Sequence, residues 1–222
     1  MPTVLIVHAH PSDHSFNHAL KEVAVARFAE GGWDVLLSDL YAQRFQAVAS
    51  KNDFTRPVSP DRFSLAHEQR HAQAERTYAP DILAEQDKVA RADLIMFQFP
   101  LWWYSVPAIL KGWIDRVLSN GFAYGDEQIF EKGLLHGKHA FVSMTTGASR
   151  EELDKDRGYT GTVEQFLLPL TGGVLRFTGL TLVDPFIAYE VASVAPAGRK
   201  AILQLLESRI AQIAGTLASR EQ

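Results

Sequence analysis

Three large aromatic side chains, Trp102, Trp103 and Tyr104, follow one another between Pro100 and Pro107, directly after the apolar run Phe97-Gln98-Phe99 and Leu101. A core would spread such rings over several elements. Crowded into one turn before a helix, they suit a flat, conjugated ligand. The plainer reading is a surface cluster that a second copy of the chain covers, and both can hold together. A polar stretch, His10-Pro11-Ser12-Asp13-His14, runs into Ser15, Phe16 and Asn17. Its hydroxyls and backbone N–H groups, helped by a helix dipole, can cradle a phosphate. Ordinary N-capping by Ser15 or Asp13 is the alternative. Thr145-Thr146-Gly147-Ala148 is a turn of small residues. It lets a backbone approach a ligand closely and offers N–H donors to carbonyl or ring-nitrogen acceptors. It also reads as a plain strand-to-loop turn.

His67-Glu68-Gln69-Arg70-His71 matches H-E-x-x-H. On a helix that pattern puts two imidazoles on one face for zinc, with the glutamate as general base. The intervening Gln-Arg pair, the polar flanks and the lack of a third ligand at close spacing favour a solvated loop or helix face. Such short matches arise by chance in a chain with 8 histidines. The chain has no G-x-G-x-x-G, no G-x-x-x-x-G-K-[ST] and no G-x-S-x-G, so those nucleotide sites and a hydrolase elbow are not expected.

The elements that must position these residues alternate. Short aliphatic or mixed runs at Val4–Val7, Val35–Leu37, Leu94–Phe99, His139–Met144 and Leu180–Val183 read as buried strands. Helical patterns cover about 15–30, 81–90, 107–118, 163–177 and 197–217. Gly31-Gly32 stops the first, and Pro107 opens the third. Residues 42–78 read as a long polar, irregular loop. Strand–helix alternation repeated over the chain implies a doubly wound α/β fold, a five-stranded parallel sheet with helices on both faces, of the flavodoxin-like kind. In such sheets ligands bind beyond the carboxyl ends of the strands. The turns after strands 1, 3 and 4 are therefore the expected site.

The 222 residues fit one domain, 1–222, and 46% hydrophobic content is enough for a full core. A net charge of −4 argues against nucleic acid as main partner. The chain has no cysteine, which excludes disulfides, thiolate catalysis and Cys-held metals and fits a reducing cytoplasm. No signal peptide is expected at the N-terminus. No stretch approaches the ~18 apolar residues of a membrane span, so no membrane insertion is expected.

Taken together, the motifs resemble the flavin-dependent NAD(P)H:quinone reductases of the DT-diaphorase type. The residues that carry the resemblance are Phe97 to Leu101 with Trp103, Val106 to Trp113, Phe122-Ala123-Tyr124, Thr145-Thr146-Gly147, Ser15-Phe16-Asn17, Asp39-Leu40-Tyr41 and Pro80 to Gln86. The resemblance implies a homodimer with active sites at the subunit interface, and FAD rather than FMN. His10, Ser15, Phe16 and Asn17 match the stretch that holds the pyrophosphate. Pro100, Leu101, Trp102, Trp103 and Tyr104 would line the flavin ring, and Thr145, Thr146, Gly147 and Ala148 would meet its polar edge. Trp103, Tyr124 and Phe177 match positions that wall the cavity for nicotinamide and quinone. NADH or NADPH would pass hydride to the flavin, and a quinone or related aromatic acceptor would then receive it in the same pocket by ping-pong turnover.

The family's tyrosine and histidine after the Thr-Thr-Gly turn are not reproduced. Their positions fall near Leu153 and on Thr160, and Tyr159 is the phenol left to take a catalytic role. The extra C-terminal domain of longer members is not expected. Two other readings belong to the same fold: a flavin-binding regulatory subunit of a potassium-efflux transporter, and an FMN-dependent azo- or nitroreductase. A colourless module binding a non-redox ligand is a further one.

Overall fold

The structure, a computed structural model, describes residues 1–58, 62–154 and 161–218. Five strands, β1 (Thr3–His8), β2 (Asp34–Asp39), β3 (Leu94–Pro100), β4 (His139–Thr145) and β5 (Thr181–Ala188), form one sheet in the order β2-β1-β3-β4-β5. Every pairing is parallel. This is the doubly wound, flavodoxin-like arrangement expected from the alternation. Among the described residues no helix is long and apolar enough to cross a membrane.

The period of two along each strand sorts the core into two layers. Leu5 and Val7 of β1 point to one face, with Ile95 and Phe97 of β3. There they meet Val89 of α3 (Pro80–Arg91), Leu110 and Trp113 of α4 (Ala108–Val117), and Val163 and Leu167 of α6 (Val163–Leu170). Val4, Ile6 and Met96 point to the other face. Leu20 and Phe28 of α1 (Phe16–Glu30) and Leu206 and Ile210 of α7 (Pro196–Ala218) cover them.

Three stretches differ from the sequence expectation. Residues 65–75, expected to be loop, form a helix, α2 (Leu65–Glu75). Its buried face is carried by Glu68, Gln69 and Ala72 rather than by large apolar residues. Gln69 Nε2 donates to the Asp115 carbonyl at 2.9 Å and its Oε1 accepts from Asn120 N–H at 3.2 Å. A helix docked by amides leaves no apolar period to read. β5 runs on to Ala188, past Asp184 and Pro185, and its pairing with β4 shifts register between Phe141 and Ser143. An edge strand tolerates proline and a bulge that a central strand would not. The third is a short helix, α5 (Arg150–Asp154), that leads away from the β4 turn. After α6, which contains Pro169, the chain widens into a π-turn at Thr171–Arg176.

The connection between β2 and α2 is fastened to the base of α4. Arg116, buried, donates to Asp53 at 3.1 Å, to Asp81 at 2.6 Å and to the Gln46 carbonyl at 2.6 Å. Its guanidinium lies 5.0 Å from the centre of the Phe45 ring. One turn earlier, Gly112 lets the loop backbone touch the helix, since a β-carbon there would stand 2.0 Å from the Ala47 carbonyl oxygen.

Candidate active site at the carboxyl edge of the sheet

Three turns converge beyond the carboxyl ends of β1, β3 and β4. The first leads into α1. Ser15, with extended backbone, caps the helix by accepting from His18 N–H at 3.0 Å. The capping use of Ser15 is therefore realised. Its hydroxyl leaves the N–H groups of Phe16 and Asn17 without an acceptor among the described residues, and these point out of the helix start as anion donors do. His10 Nδ1 accepts from Ser12 N–H at 3.1 Å, which puts the hydrogen of a neutral ring on Nε2. Burial lowers the His10 pKa, favouring that neutral form.

The second turn is the aromatic one. Trp102 and Ser105 exchange backbone hydrogen bonds of 3.1 and 3.0 Å, closing a two-residue turn at Trp103 and Tyr104. Both carry left-handed backbone, φ 50° and 56°. Positive φ at both central residues is the hairpin geometry that Asn-Gly usually supplies. Bulky L-residues hold it only at a cost on the order of 1–2 kcal/mol each. The geometry lifts Trp103 into solvent, 95% exposed, with Tyr104 and Trp102 half-exposed. Tyr104 leans on Phe166 of α6, ring centres 4.7 Å apart, and Trp102 tilts over His10 at 5.9 Å. Behind the turn an apolar cavity of about 70 Å³ is lined by Phe99, Leu101, Val106, Phe166, Leu170 and Val174. The rings are therefore presented at the surface rather than packed down.

The third turn follows β4. Leu101 N–H donates to the Thr145 carbonyl at 2.8 Å and so fixes the second turn against the third. Thr146 Oγ1 donates to the Ala148 carbonyl at 2.7 Å, shaping the loop around Gly147. Gly147 is exposed, and a β-carbon on it would meet nothing within 4 Å among the described residues. Asn17 joins all three turns from below. Its Nδ2 donates to Thr145 Oγ1 at 2.8 Å and its Oδ1 accepts from Gln98 Nε2 at 2.8 Å. Asn17 is thus a buried brace, and only its backbone faces the cradle.

His10, Ser15, Phe16, Asn17, Pro100 to Tyr104 and Thr145 to Ala148 are therefore brought to one edge. Tyr124 and Phe177 are not. They pack on each other, ring centres 5.4 Å apart, with Phe130 against Phe177 at 5.5 Å. Phe177 lies just before the start of β5, and Tyr124 lies beyond the carboxyl end of α4. Both sit at the amino end of the sheet, a strand length of about 20 Å from Trp103. Tyr159 and Thr160 lie outside the described residues. Leu153, near the expected tyrosine position, is buried in the core. In the H-E-x-x-H segment, Glu68 is buried on α2 and accepts from Val58 N–H at 2.8 Å, while His67 is exposed. Among the described residues no group of three or more His, Cys, Asp or Glu is placed to hold a metal.

Sequence reasoning missed His8. It ends β1 fully inside the protein, and burial pushes its imidazole down to about 4 against the opposing pull of Asp39. The unfolded chain takes up this proton first, near pH 6.5. The stability the neutral ring allows is therefore complete above that pH and is lost as pH falls towards 4. Urea unfolding should show a loss of about 2 kcal/mol from this group between pH 8 and pH 5, absent in His8→Phe.

A family model for the flavodoxin-like fold, Flavodoxin_2, matches residues 2–213. The chain belongs to that family. Within this Flavodoxin_2 family it is 44% identical over 211 residues to ribosyldihydronicotinamide dehydrogenase [quinone] of Mus musculus, covering 95% of this chain and 91% of the relative. It is 41% identical to NAD(P)H dehydrogenase [quinone] 1 of Rattus norvegicus, covering 93% of this chain and 75% of the relative. Among solved structures, a Klebsiella pneumoniae protein assigned as a quinone reductase superposes with a TM-score of 0.90 at 33% identity, over 96% of this chain and 85% of the other.

Proposed function

We propose that this member of the Flavodoxin_2 family is an FAD-dependent NAD(P)H:quinone oxidoreductase, one domain over 1–222, working in the cytoplasm as a homodimer. The observation that carries the reading is the exposed, left-handed Trp103-Tyr104 turn fixed against the open Gly147 loop by the Leu101–Thr145 hydrogen bond. A flat ring fits between them, stacked on aromatics on one side and edged by backbone N–H on the other. The free N–H groups of Phe16 and Asn17 and the His10 Nε2–H fit a pyrophosphate, which favours FAD over FMN. A flavin held there would supply the two-electron chemistry that links a nicotinamide to a quinone.

The chain's own residues bind, orient and shield. Trp103 and Tyr104 offer stacking surface to the flavin and to whichever aromatic substrate lies beyond it. Donors around Thr146 and Gly147 meet the polar edge of the ring. Tyr124 and Phe177 stand too far from Trp103 in one chain to share its pocket, so a cavity walled by all three takes them from a second copy. A single pocket serving both substrates makes turnover ping-pong. Initial rates with varied NAD(P)H and quinone should give parallel double-reciprocal lines, and intersecting lines would overturn the shared pocket.

Trp103→Ala should lower flavin occupancy or quinone turnover, because it removes ring stacking worth ~0.5–1.5 kcal/mol beyond the area buried. Unchanged flavin content together with unchanged turnover would count against its role. His67→Ala and His71→Ala should leave turnover intact and shift stability by no more than about 0.5 kcal/mol. A large loss of turnover would revive the zinc reading.

A further inference from the structure

Three buried polar side chains form a row across the sheet, on the face covered by α1 and α7. His8 of β1 pairs in register with Gln98 of β3, and Gln98 pairs with Ser143 of β4. Register partners send their side chains to the same face. His8 is 1% exposed, and Gln98 and Ser143 are not exposed at all. Among the described residues, neither ring nitrogen of His8 has a hydrogen-bond partner, nor does Gln98 Oε1 or Ser143 Oγ. Groups of this kind are normally satisfied by bound water, because leaving each one bare is costly. Neighbouring strands stand ~4.8 Å apart, a gap that one water spans with two hydrogen bonds of ~2.8 Å.

The row has two ends. On one side His8 pairs with Asp39 of β2, which Lys21 of α1 approaches at 3.4 Å. His18 of α1 meets the His8 ring edge-on at 6.2 Å, and its Nδ1 also lacks a hydrogen bond among the described residues. The His18 side chain is a quarter exposed and flanked by Asp13 and Glu22, so this end opens to solvent. The charged or titratable groups that act on His8 are Asp39, Lys21, His18 and His10. On the other side, Ser143 stands two residues before Thr145, which opens the Gly147 loop and is braced by Asn17.

We propose that this row is a hydrated proton path, in which His8, Gln98 and Ser143 hold bound water and pass a proton from the surface beside Asp39 and His18 to the Thr145–Ala148 loop. The inference rests on the quinone-reductase reading. That reaction consumes one proton per turnover: NAD(P)H, H⁺ and a quinone become NAD(P)⁺ and a hydroquinone. The nicotinamide supplies one hydrogen with both electrons, and the second hydrogen reaches a quinone oxygen as a proton drawn from water. A buried imidazole that stays neutral near pH 7 has one donor and one acceptor nitrogen, which relay requires. An amide and a hydroxyl continue the chain by holding water. His8 thus serves as a positioning and relay residue outside the pocket itself.

The test joins crystallography of the flavin-loaded protein to stopped-flow kinetics of its two half-reactions. Ordered water within hydrogen-bonding distance of His8, Gln98 Oε1 and Ser143 Oγ is expected, and a dry row overturns the proposal. His8→Phe and His8→Gln should each slow the quinone half-reaction roughly tenfold or more, raise its solvent isotope effect, and leave reduction by NAD(P)H within about twofold. The glutamine variant keeps polar atoms and guards against a misfolded phenylalanine variant. If it restores the wild-type rate, His8 only holds structure and the relay is overturned. A hydrated row in a protein that takes up no flavin overturns the proton role, and locates the failure in the oxidoreductase reading rather than in the row itself.

Discussion

Gly147→Val should fold as well as the parent and bind flavin at least a hundredfold more weakly, about 2.7 kcal/mol. The two halves of that result have separate causes. A β-carbon at Gly147 meets no atom of the described residues within 4 Å, and the residue is not among the glycines with positive φ, so valine strains none of them. On the proposed reading, the same open space is where the polar edge of a flavin ring would come to reach the loop N–H groups. Three added carbons there would hold such a ring away from those donors and from the Trp103-Tyr104 surface at once. Thermal unfolding of the apoprotein should be unchanged while flavin titration weakens. Wild-type flavin affinity in a folded Gly147→Val protein would move the ring elsewhere.

Arg116→Met should cost about 3–5 kcal/mol of stability, the usual penalty for breaking a buried ion pair from one side. The methionine replaces much of the volume but none of the hydrogen bonds to Asp53, Asp81 and the Gln46 carbonyl. Asp53 is as buried as Arg116 and is left with the Ser50 N–H at 3.2 Å. Adding Asp53→Asn should recover part of the loss, because the stranded charge is then gone. Denaturant unfolding of the single and double variants measures both. A single variant within about 1 kcal/mol of the parent would mean that water reaches the triad and shields the charge.

The sheet was legible because strands buried on both faces are continuous apolar runs, and Val4–Val7 and Leu94–Phe97 carry no competing signal. The aromatic turn was legible as a location and not as a shape. Its left-handed backbone is normally announced by Asn-Gly, and here Trp103 and Tyr104 occupy those positions. α2 was hidden because amide and carboxylate hydrogen bonds dock it. β5 looked shorter than it is because Asp184-Pro185 reads as a break, which an edge strand absorbs. Pairings distant in sequence were beyond reach. Gln98 in an apolar run and His8 after Val7 are single polar residues until strand register sets them side by side. The cavity residues were a mixed case. Trp103 stands at the expected edge, while Tyr124 and Phe177 stand at the opposite end of the sheet, and the proposed homodimer is what would bring them to a shared pocket.

The most direct test of the oxidoreductase reading is the visible absorption spectrum of the purified protein, with the chromophore released and identified by chromatography. The account predicts flavin bands and FAD in the released fraction. FMN would keep the reductase class and correct the pyrophosphate assignment at His10 and Phe16. A protein that stays colourless after reconstitution with either flavin would contradict the account.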